Sequence, residues 1–111
     1  MIEFDDFARV DMRVGRIVEV LPFPEARKPS YKLRIDFGAS VGERVSSAQL
    51  TVTYPDPSQL VGRQVVAVLN FPSRRIAGFS SQVLVLGAMG EHGEVHLLAP
   101  EPGCENGLPI G

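Results

Sequence analysis

The clearest pattern in this chain is a strict alternation of apolar and polar residues over positions 31–37, YKLRIDF. Successive side chains of a β-strand point to opposite faces, so the apolar residues share one face. The other face carries Lys32, Arg34 and Asp36. The pattern therefore predicts a half-buried strand with a largely basic outer face.

Two flanking segments also have strand character. Residues 10–21 are rich in Val and Ile, but their alternation is interrupted around Gly15, which predicts a long first strand with a bulge or bend at that glycine. Residues 44–53 predict a third strand that is polar in its first half.

The later strands are more apolar. Residues 65–70 and 83–87 are near-continuous apolar runs, which predicts strands covered on both faces. Residues 93–99 are expected to complete a hairpin after the glycine-containing stretch at 87–93.

Helix is scarce in this pattern. Asp56 is placed to cap a short helix with Pro57 at its first position and Gly62 just past its end, and residues 5–10 predict one further turn. Many short strands with few helices indicate an all-β barrel or sandwich. A five-stranded Greek-key barrel, the OB-fold, fits the long first strand and the helix before strand four, and an SH3-like barrel is the main alternative.

The size and composition indicate one domain spanning residues 1–111. The chain is 44% hydrophobic and 22% charged, which is typical of a globular protein. No stretch is apolar enough to span a membrane, the N-terminus is acidic, and the single Cys104 fits a reducing compartment. These features predict a cytoplasmic protein without membrane insertion.

Charge is unevenly distributed along the chain. Residues 9–34 hold seven of the eleven Lys and Arg residues, whereas residues 91–111 hold four acids and no Lys or Arg. The net charge of −2 argues against indiscriminate binding of nucleic acid, but the asymmetry would allow one face to bind an anion. Chance clustering of solvated surface charge explains the composition equally well.

The OB-fold predicts where a ligand would bind. Oligonucleotides bind such folds on the face of strands two and three, flanked by the loops between strands one and two and between strands four and five. Here those loops are residues 22–30 and 70–81, and both carry basic and aromatic residues. The residues with suitable chemistry are Phe23, Arg27, Lys28, Lys32, Arg34, Ser46, Ser47, Gln49, Asn70, Phe71, Arg74, Arg75 and Phe79.

Basic side chains neutralise phosphates, aromatic rings stack on unpaired bases, and hydroxyl and amide groups bond to base edges or 2′-hydroxyls. For Phe71 and Phe79 taken singly, burial in the core is the simpler interpretation. The adjacent Arg74 and Arg75, in a loop anchored by proline, have no obvious structural role.

Other chemistry is weakly supported. His92 and His96 in an extended segment lie roughly 13 Å apart, too far to share one ion, so no metal site is predicted with Cys104. Neither a glycine-rich phosphate loop nor a nucleophile elbow occurs, and no acid/base pair is evident. A non-enzyme without cofactor is expected.

Six further segments stand out along the chain: DMRVGRI (11–17), FPEARKPSYKL (23–33), DFG (36–38), SSAQLT (46–51), VGRQVVAVLNFPSRRI (61–76) and VLVLG (83–87). Together they resemble the CsaA family within the wider group of tRNA-binding domains. The resemblance implies a cytoplasmic OB-fold homodimer that binds tRNA, and also an export-related chaperone that holds unfolded or precursor polypeptides.

The resemblance assigns residues to both ligands. The positions it implies for RNA are Arg13, Arg16, Arg27, Lys28, Lys32, Arg34, Ser46, Ser47, Gln49, Asn70 and Arg74, which Arg75 supplements. Those implied for an apolar peptide cleft are Phe71, Pro72, Ile76 and Phe79. Residues 23–29 depart from the His-Pro-x-Ala-x-x-Leu segment of the related tRNA domains, which favours the chaperone branch, and Arg75 adds a positive charge.

Apolar residues near both ends of the chain suggest an interface. They are Ile2, Phe4, Phe7, Leu108 and Ile110. Exposed, they would form the kind of patch that marks a protein contact, in keeping with a homodimer. The alternative is that both ends fold back over the barrel as plugs.

Overall fold

A computed structural model describes residues 1–111. It contains one short α-helix, one 3-10 turn and nine β-strands, several of them only two or three residues long. The elements are α1 (Phe4–Ala8), β1 (Met12–Pro22), β2 (Tyr31–Asp36), β3 (Glu43–Ala48), the 3-10 turn (Pro57–Gln59), β4 (Gln64–Val68), β5 (Arg74–Ile76), β6 (Phe79–Ser81), β7 (Leu84–Val85), β8 (Gly87–Met89) and β9 (Val95–Leu97).

The central sheet has five antiparallel strands in the order β3-β2-β1-β4-β7, and two hairpins, β5-β6 and β8-β9, are attached to it. The two edges of the sheet approach each other: the Ser46 hydroxyl donates to the Val83 carbonyl at 2.9 Å, and the Gln82 amide donates to the Val45 carbonyl at 2.9 Å. The sheet is thus nearly closed into a barrel. The prediction of an all-β OB-fold barrel is confirmed.

Strand β1 serves both halves of the barrel because it bends. It pairs with β4 over residues 12–16 and with β2 over 16–22, and the β1-β2 register shifts between Ile17 and Glu19. The predicted bend exists, but the bulge lies at Val18 and not at Gly15. Gly15 has a packing role, since a Cβ there would lie 2.6 Å from both Ile35 Cγ2 and Phe37 Cε1.

The core follows the predicted patterns with one exception. Residues of β2 alternate between buried and half-buried, and Val65–Val68 of β4 are all buried, as expected for a strand covered on both faces. The run 83–87 was expected to be covered in the same way, but Leu84 is 49% exposed. It lies beside a groove that is open to solvent.

The short turn between β3 and β4 forms as predicted. The Asp56 carboxylate accepts a hydrogen bond from the Ser58 amide at 3.0 Å, Pro57 begins the turn, and Gly62 has a left-handed φ of 88°. The third strand is shorter than expected and ends at Ala48, because the chain turns at 51–53. Neither helical element has the length and hydrophobicity that crossing a lipid bilayer requires.

The C-terminal segment pairs with the start of β1. The Val14 amide donates to the Leu108 carbonyl at 3.0 Å, and the Ile110 amide donates to the Met12 carbonyl at 2.9 Å. The C-terminal segment thereby occupies the edge of β1 that β2 leaves free. Helix α1 buries none of its residues and leads directly into the same strand.

Candidate nucleic-acid interface

A groove of about 570 Å³ lies between the loop 22–30, the end of β3, the β5-β6 hairpin and the β8-β9 hairpin. We call it the basic groove. Five of the residues predicted to contact RNA line it together: Arg27, Lys28, Ser47, Gln49 and Arg74. The structure thus brings the two loops expected to flank an OB-fold ligand to one place.

The basic groove carries unneutralised positive charge. Arg27, Lys28 and Arg74 are exposed, and none of them forms an ion pair, since the ion pairs of the structure involve only Arg9, Arg13 and Arg34 among the basic residues. Three unpaired cations around one concavity attract a polyanion, and the attraction is screened by salt.

The β5-β6 hairpin separates the two arginines that the sequence presents as a pair. Its two-residue turn, Ala77 and Gly78, has positive φ at both positions, 47° and 83°, which suits the right-handed twist of a tight hairpin. Side chains alternate along the strand, so Arg74 shares a face with Ile76 while Arg75 points to the other. Arg74 accordingly lines the basic groove and Arg75 does not.

Lys32 is held beside the groove by aromatic rings. Its ammonium lies 4.7 Å from the centroid of Phe23 and 5.2 Å from that of Phe79, and the two rings meet edge to face with centroids 5.5 Å apart. Lys32 is also paired with Ser47 across β2 and β3. Lys32 therefore joins the loop 22–30 to the β5-β6 hairpin. Its positive charge is stabilised in part by the faces of the two rings.

Three of the arginines implied for RNA contact are engaged elsewhere. Arg13 donates to Asp11 at 2.9 Å and to the Gly107 carbonyl at 3.1 Å, and Arg16 donates to the Gly62 carbonyl at 2.7 Å.

Arg34 donates to Glu43 at 2.8 Å and to Glu19 at 3.3 Å. The hydrogen bond to Glu43, and after it the one to Glu19, raises the pKa of the Arg34 guanidinium above its ordinary value. The outer face of β2 is therefore less positive than its sequence suggests.

Two polar residues implied for RNA contact form hydrogen bonds within the fold. Ser46 is 1% exposed, and its hydroxyl closes the barrel by donating to Val83, so it cannot reach a ligand in the groove. The Asn70 side chain accepts from the Asp11 amide at 2.9 Å and donates to the Arg9 carbonyl at 2.7 Å. Asn70 thus ties the end of β4 to the segment before β1.

A second groove, of about 440 Å³, adjoins the basic groove and shares Arg74, Ile76 and Leu84 with it. We call it the apolar groove, since Phe71, Pro72, Ile76 and Leu84 are among its walls. Phe71 is 52% exposed and does not belong to the core. Phe79, expected in the same cleft, packs against Phe23 instead and does not line this groove.

The apolar residues near the chain ends remain largely uncovered. Ile2 and Phe4 are 76% and 77% exposed, Leu108 is 45% exposed, and the rings of Phe4 and Phe7 are 6.3 Å apart. Ile110 is half-buried where its segment pairs with β1. The ends therefore do not plug the barrel, and we call these residues the terminal patch.

One charged residue of the basic groove was not among the predicted site residues. It is Glu94, which lies half-buried in the turn between β8 and β9. Its charge is negative, whereas the other charged residues that line the groove, Arg27, Lys28 and Arg74, are positive. Its carboxylate accepts from the His92 amide at 2.8 Å, and this hydrogen bond is the main cause that lowers the pKa of Glu94. No pattern in the sequence marked it, because only the packing of the C-terminal hairpin brings it to the groove.

A five-stranded OB barrel with a basic groove between the loops that flank OB-fold ligands is typical of nucleic-acid-binding domains. Residues 12–109 match the family model described as "Putative tRNA binding domain". The chain therefore belongs to the tRNA-binding domain family, and it shares the fold of CsaA proteins over its full length.

Two solved structures and one longer relative document the similarity. The chaperone CsaA of Bacillus anthracis is 48% identical with a TM-score of 0.94, over 100% of this chain and 99% of that one. The CsaA chaperone of Picrophilus torridus is 47% identical with a TM-score of 0.91, over 100% of both chains. Methionine–tRNA ligase of Neisseria gonorrhoeae is 34% identical over 97% of this chain, which spans only 16% of the ligase.

Proposed function

We propose that this protein binds tRNA through the basic groove, in the cytoplasm and without a chemical step. The observation that carries the proposal is the convergence of Arg27, Lys28 and Arg74, all exposed and unpaired, on one concavity of the OB-fold. Each such cation can neutralise a phosphate and release its counterion, which makes the affinity dependent on salt. The membership of the tRNA-binding domain family supports tRNA as the polyanion.

The remaining chemistry of the groove suits RNA as well. Ser47 and Gln49 line it with groups that can bond to 2′-hydroxyls or base edges. Gln49 is exposed and Ser47 is half-buried, so both can reach a bound chain. Phosphate contacts would position the RNA, and these polar groups would add contacts to its sugars and bases.

The test compares two charge reversals in one hairpin. Arg74→Glu should weaken tRNA binding about tenfold or more and reduce the slope of log affinity against log salt by about 0.9 for each lost contact. Arg75→Glu makes the same change of charge on the opposite strand face and should have the smaller effect; the double variant should lose most. Unchanged affinity and slope for Arg74→Glu and the double variant, with the fold intact by circular dichroism, would exclude this function.

A second candidate function is the binding of unfolded or precursor polypeptides in the apolar groove. The exposed Phe71 beside Pro72 and Ile76 supports it, and two structural neighbours are named as chaperones. Binding of a reduced, unfolded protein should hold or strengthen in sulfate or at high salt, where tRNA binding falls. Loss of both activities along one salt curve would argue against a separate apolar site.

We further propose that the functional unit is a homodimer formed through the terminal patch. Ile2 and Phe4 are exposed apolar residues, and a two-fold axis would place two basic grooves on one particle. Sedimentation equilibrium at micromolar concentration should give twice the 12.1 kDa chain mass. A mass near that of one chain refutes the dimer; if the dimer forms, removal of residues 1–7 should weaken it and lower tRNA affinity.

A further inference from the structure

We propose that Glu94 makes the basic groove selective for RNA that presents an unpaired guanine, by accepting hydrogen bonds from the Watson–Crick edge of that base. The inference rests on tRNA binding by this groove and names what part of the RNA enters it. It starts from an apparent contradiction: an acidic residue, Glu94, lines the same groove as three cations that would hold phosphates.

Glu94 does not neutralise those cations. It forms no ion pair, and its Oε1 accepts instead from the His92 backbone amide at 2.8 Å. That bond fixes the carboxylate and leaves its remaining lone pairs free for a ligand. A group with this charge repels phosphate, so it can meet an RNA favourably only through hydrogen-bond donors, which are the 2′-hydroxyls and the donors on base edges. Of these, only a base edge offers two donors side by side to the two oxygens of a carboxylate.

The backbone makes room for the carboxylate. A Cβ atom built on Gly90 would overlap the carboxyl group of Glu94, so an alanine at this position would displace the Glu94 side chain from its observed conformation. Gly90 and Glu94 are also joined by a hydrogen bond from the Gly90 amide to the Glu94 carbonyl at 2.9 Å. The turn thus holds the Glu94 side chain in a defined place, as a selective contact requires.

The donor pattern selects the base. Guanine presents two parallel donors, its N1–H and the amino group on C2, which match the two oxygens of a carboxylate. Uracil offers one N–H between two carbonyl oxygens that a carboxylate repels. Sequence-specific recognition of RNA usually reads such edges on unpaired bases, while cations hold the adjacent phosphates.

The experiment uses three uridine-rich ribohexamers that differ at one central position: guanosine, inosine or uridine. Inosine lacks only the amino group of guanine. At low salt, the wild-type protein should bind the guanosine hexamer about fivefold or more tighter than the uridine hexamer, with inosine intermediate, the range expected for one bidentate base contact. Glu94→Gln and Gly90→Ala should both abolish the preference.

Glu91→Gln is the matched control, since Glu91 lies in the same turn, is exposed and does not line the groove. It changes the net charge as Glu94→Gln does and should leave the preference intact. Equal strengthening of all three hexamers by Glu94→Gln would show that the carboxylate merely repels phosphate. If Glu94→Gln instead loses binding to a lysine-containing peptide while its hexamer binding is unchanged, Glu94 contacts a polypeptide ligand. Either of these two results overturns the proposal.

Arg74→Glu separates this inference from the function beneath it. If Arg74→Glu weakens all three hexamers but wild type does not distinguish them, the RNA site stands and the role of Glu94 is wrong. If Arg74→Glu and its double variant with Arg75→Glu change nothing, the proposed function itself fails.

Discussion

The Lys32 ammonium lies 5.2 Å from the centroid of the Phe79 ring, so a cation–π contact joins strand β2 to the β5-β6 hairpin. The same ammonium lies 4.7 Å from Phe23, a residue only 3% exposed in the loop 22–30. One cation thereby connects two walls of the basic groove. Its contribution is to position those walls, in addition to any contact it makes with RNA.

Replacement of Lys32 by Gln should therefore destabilise the protein. Loss of a partly exposed cation–π contact costs about 0.5–2 kcal/mol, which urea denaturation can resolve as a lower midpoint. Lys28→Gln is the control, because Lys28 is exposed and contacts neither ring. Equal midpoints for the two variants would show that the ring contacts contribute nothing to stability.

The two phenylalanines predicted for a peptide cleft should behave differently. Phe71→Ser should reduce binding of an unfolded polypeptide with little change in melting temperature, because the ring is 52% exposed in the apolar groove. Phe79→Ser should lower the melting temperature through its lost contact with Phe23. Phe23→Ala serves as the reference for a large loss of stability, since truncation of a buried Phe costs about 3–5 kcal/mol. A large loss of stability in Phe71→Ser would show that the ring supports the fold and would contradict its role in peptide binding.

Ser46→Ala should separate stability from binding. Removal of the hydroxyl leaves the Val83 carbonyl without its 2.9 Å partner where the barrel closes, at a cost of about 1–3 kcal/mol. Affinity for tRNA should not change, because Ser46 is buried. Ser80→Ala, at an exposed position of β6, should alter neither property. Weaker tRNA binding in a folded Ser46→Ala protein would show instead that Ser46 contacts the RNA directly.

Asp56 should contribute to the acid sensitivity of the fold. Hydrogen bonds from Ser58 lower the pKa of its carboxyl, so the ionised form is favoured in the folded state. A lowered pKa means that this stabilisation is present above the unfolded value and is lost as pH falls through the folded value. Asp56→Asn keeps a capping side chain without the charge, and its urea midpoint should fall less between pH 6 and pH 3 than that of wild type. Parallel midpoints would contradict this role.

The sequence predicted features that depend on neighbouring residues in the chain. The alternation around Lys32 defined β2, and Asp56 with Pro57 defined the turn before β4. The bulge was misplaced because Gly15 interrupts the alternation for a packing reason, while the extra residue of β1 is Val18.

Features of the site that depend on contacts between distant segments were harder to predict. Arg34 is neutralised by residues of two other strands, which only the register reveals. Arg74 and Arg75 look equivalent in sequence but lie on opposite faces of β5. Glu94 enters the groove through the docking of a hairpin that no local pattern specifies.

The hydrogen bond between Met12 and Ile110 has a consequence for how the domain can be connected. The segment that contains Ile110 lies antiparallel to the start of β1. The polypeptide therefore enters and leaves the barrel at the same edge. Proximity of this kind favours circular permutation: a glycine linker could connect the segment before Met12 to the segment after Ile110, and the chain could be reopened at the exposed turn 39–40. The barrel, and with it the walls of the basic groove, would keep its order of strands.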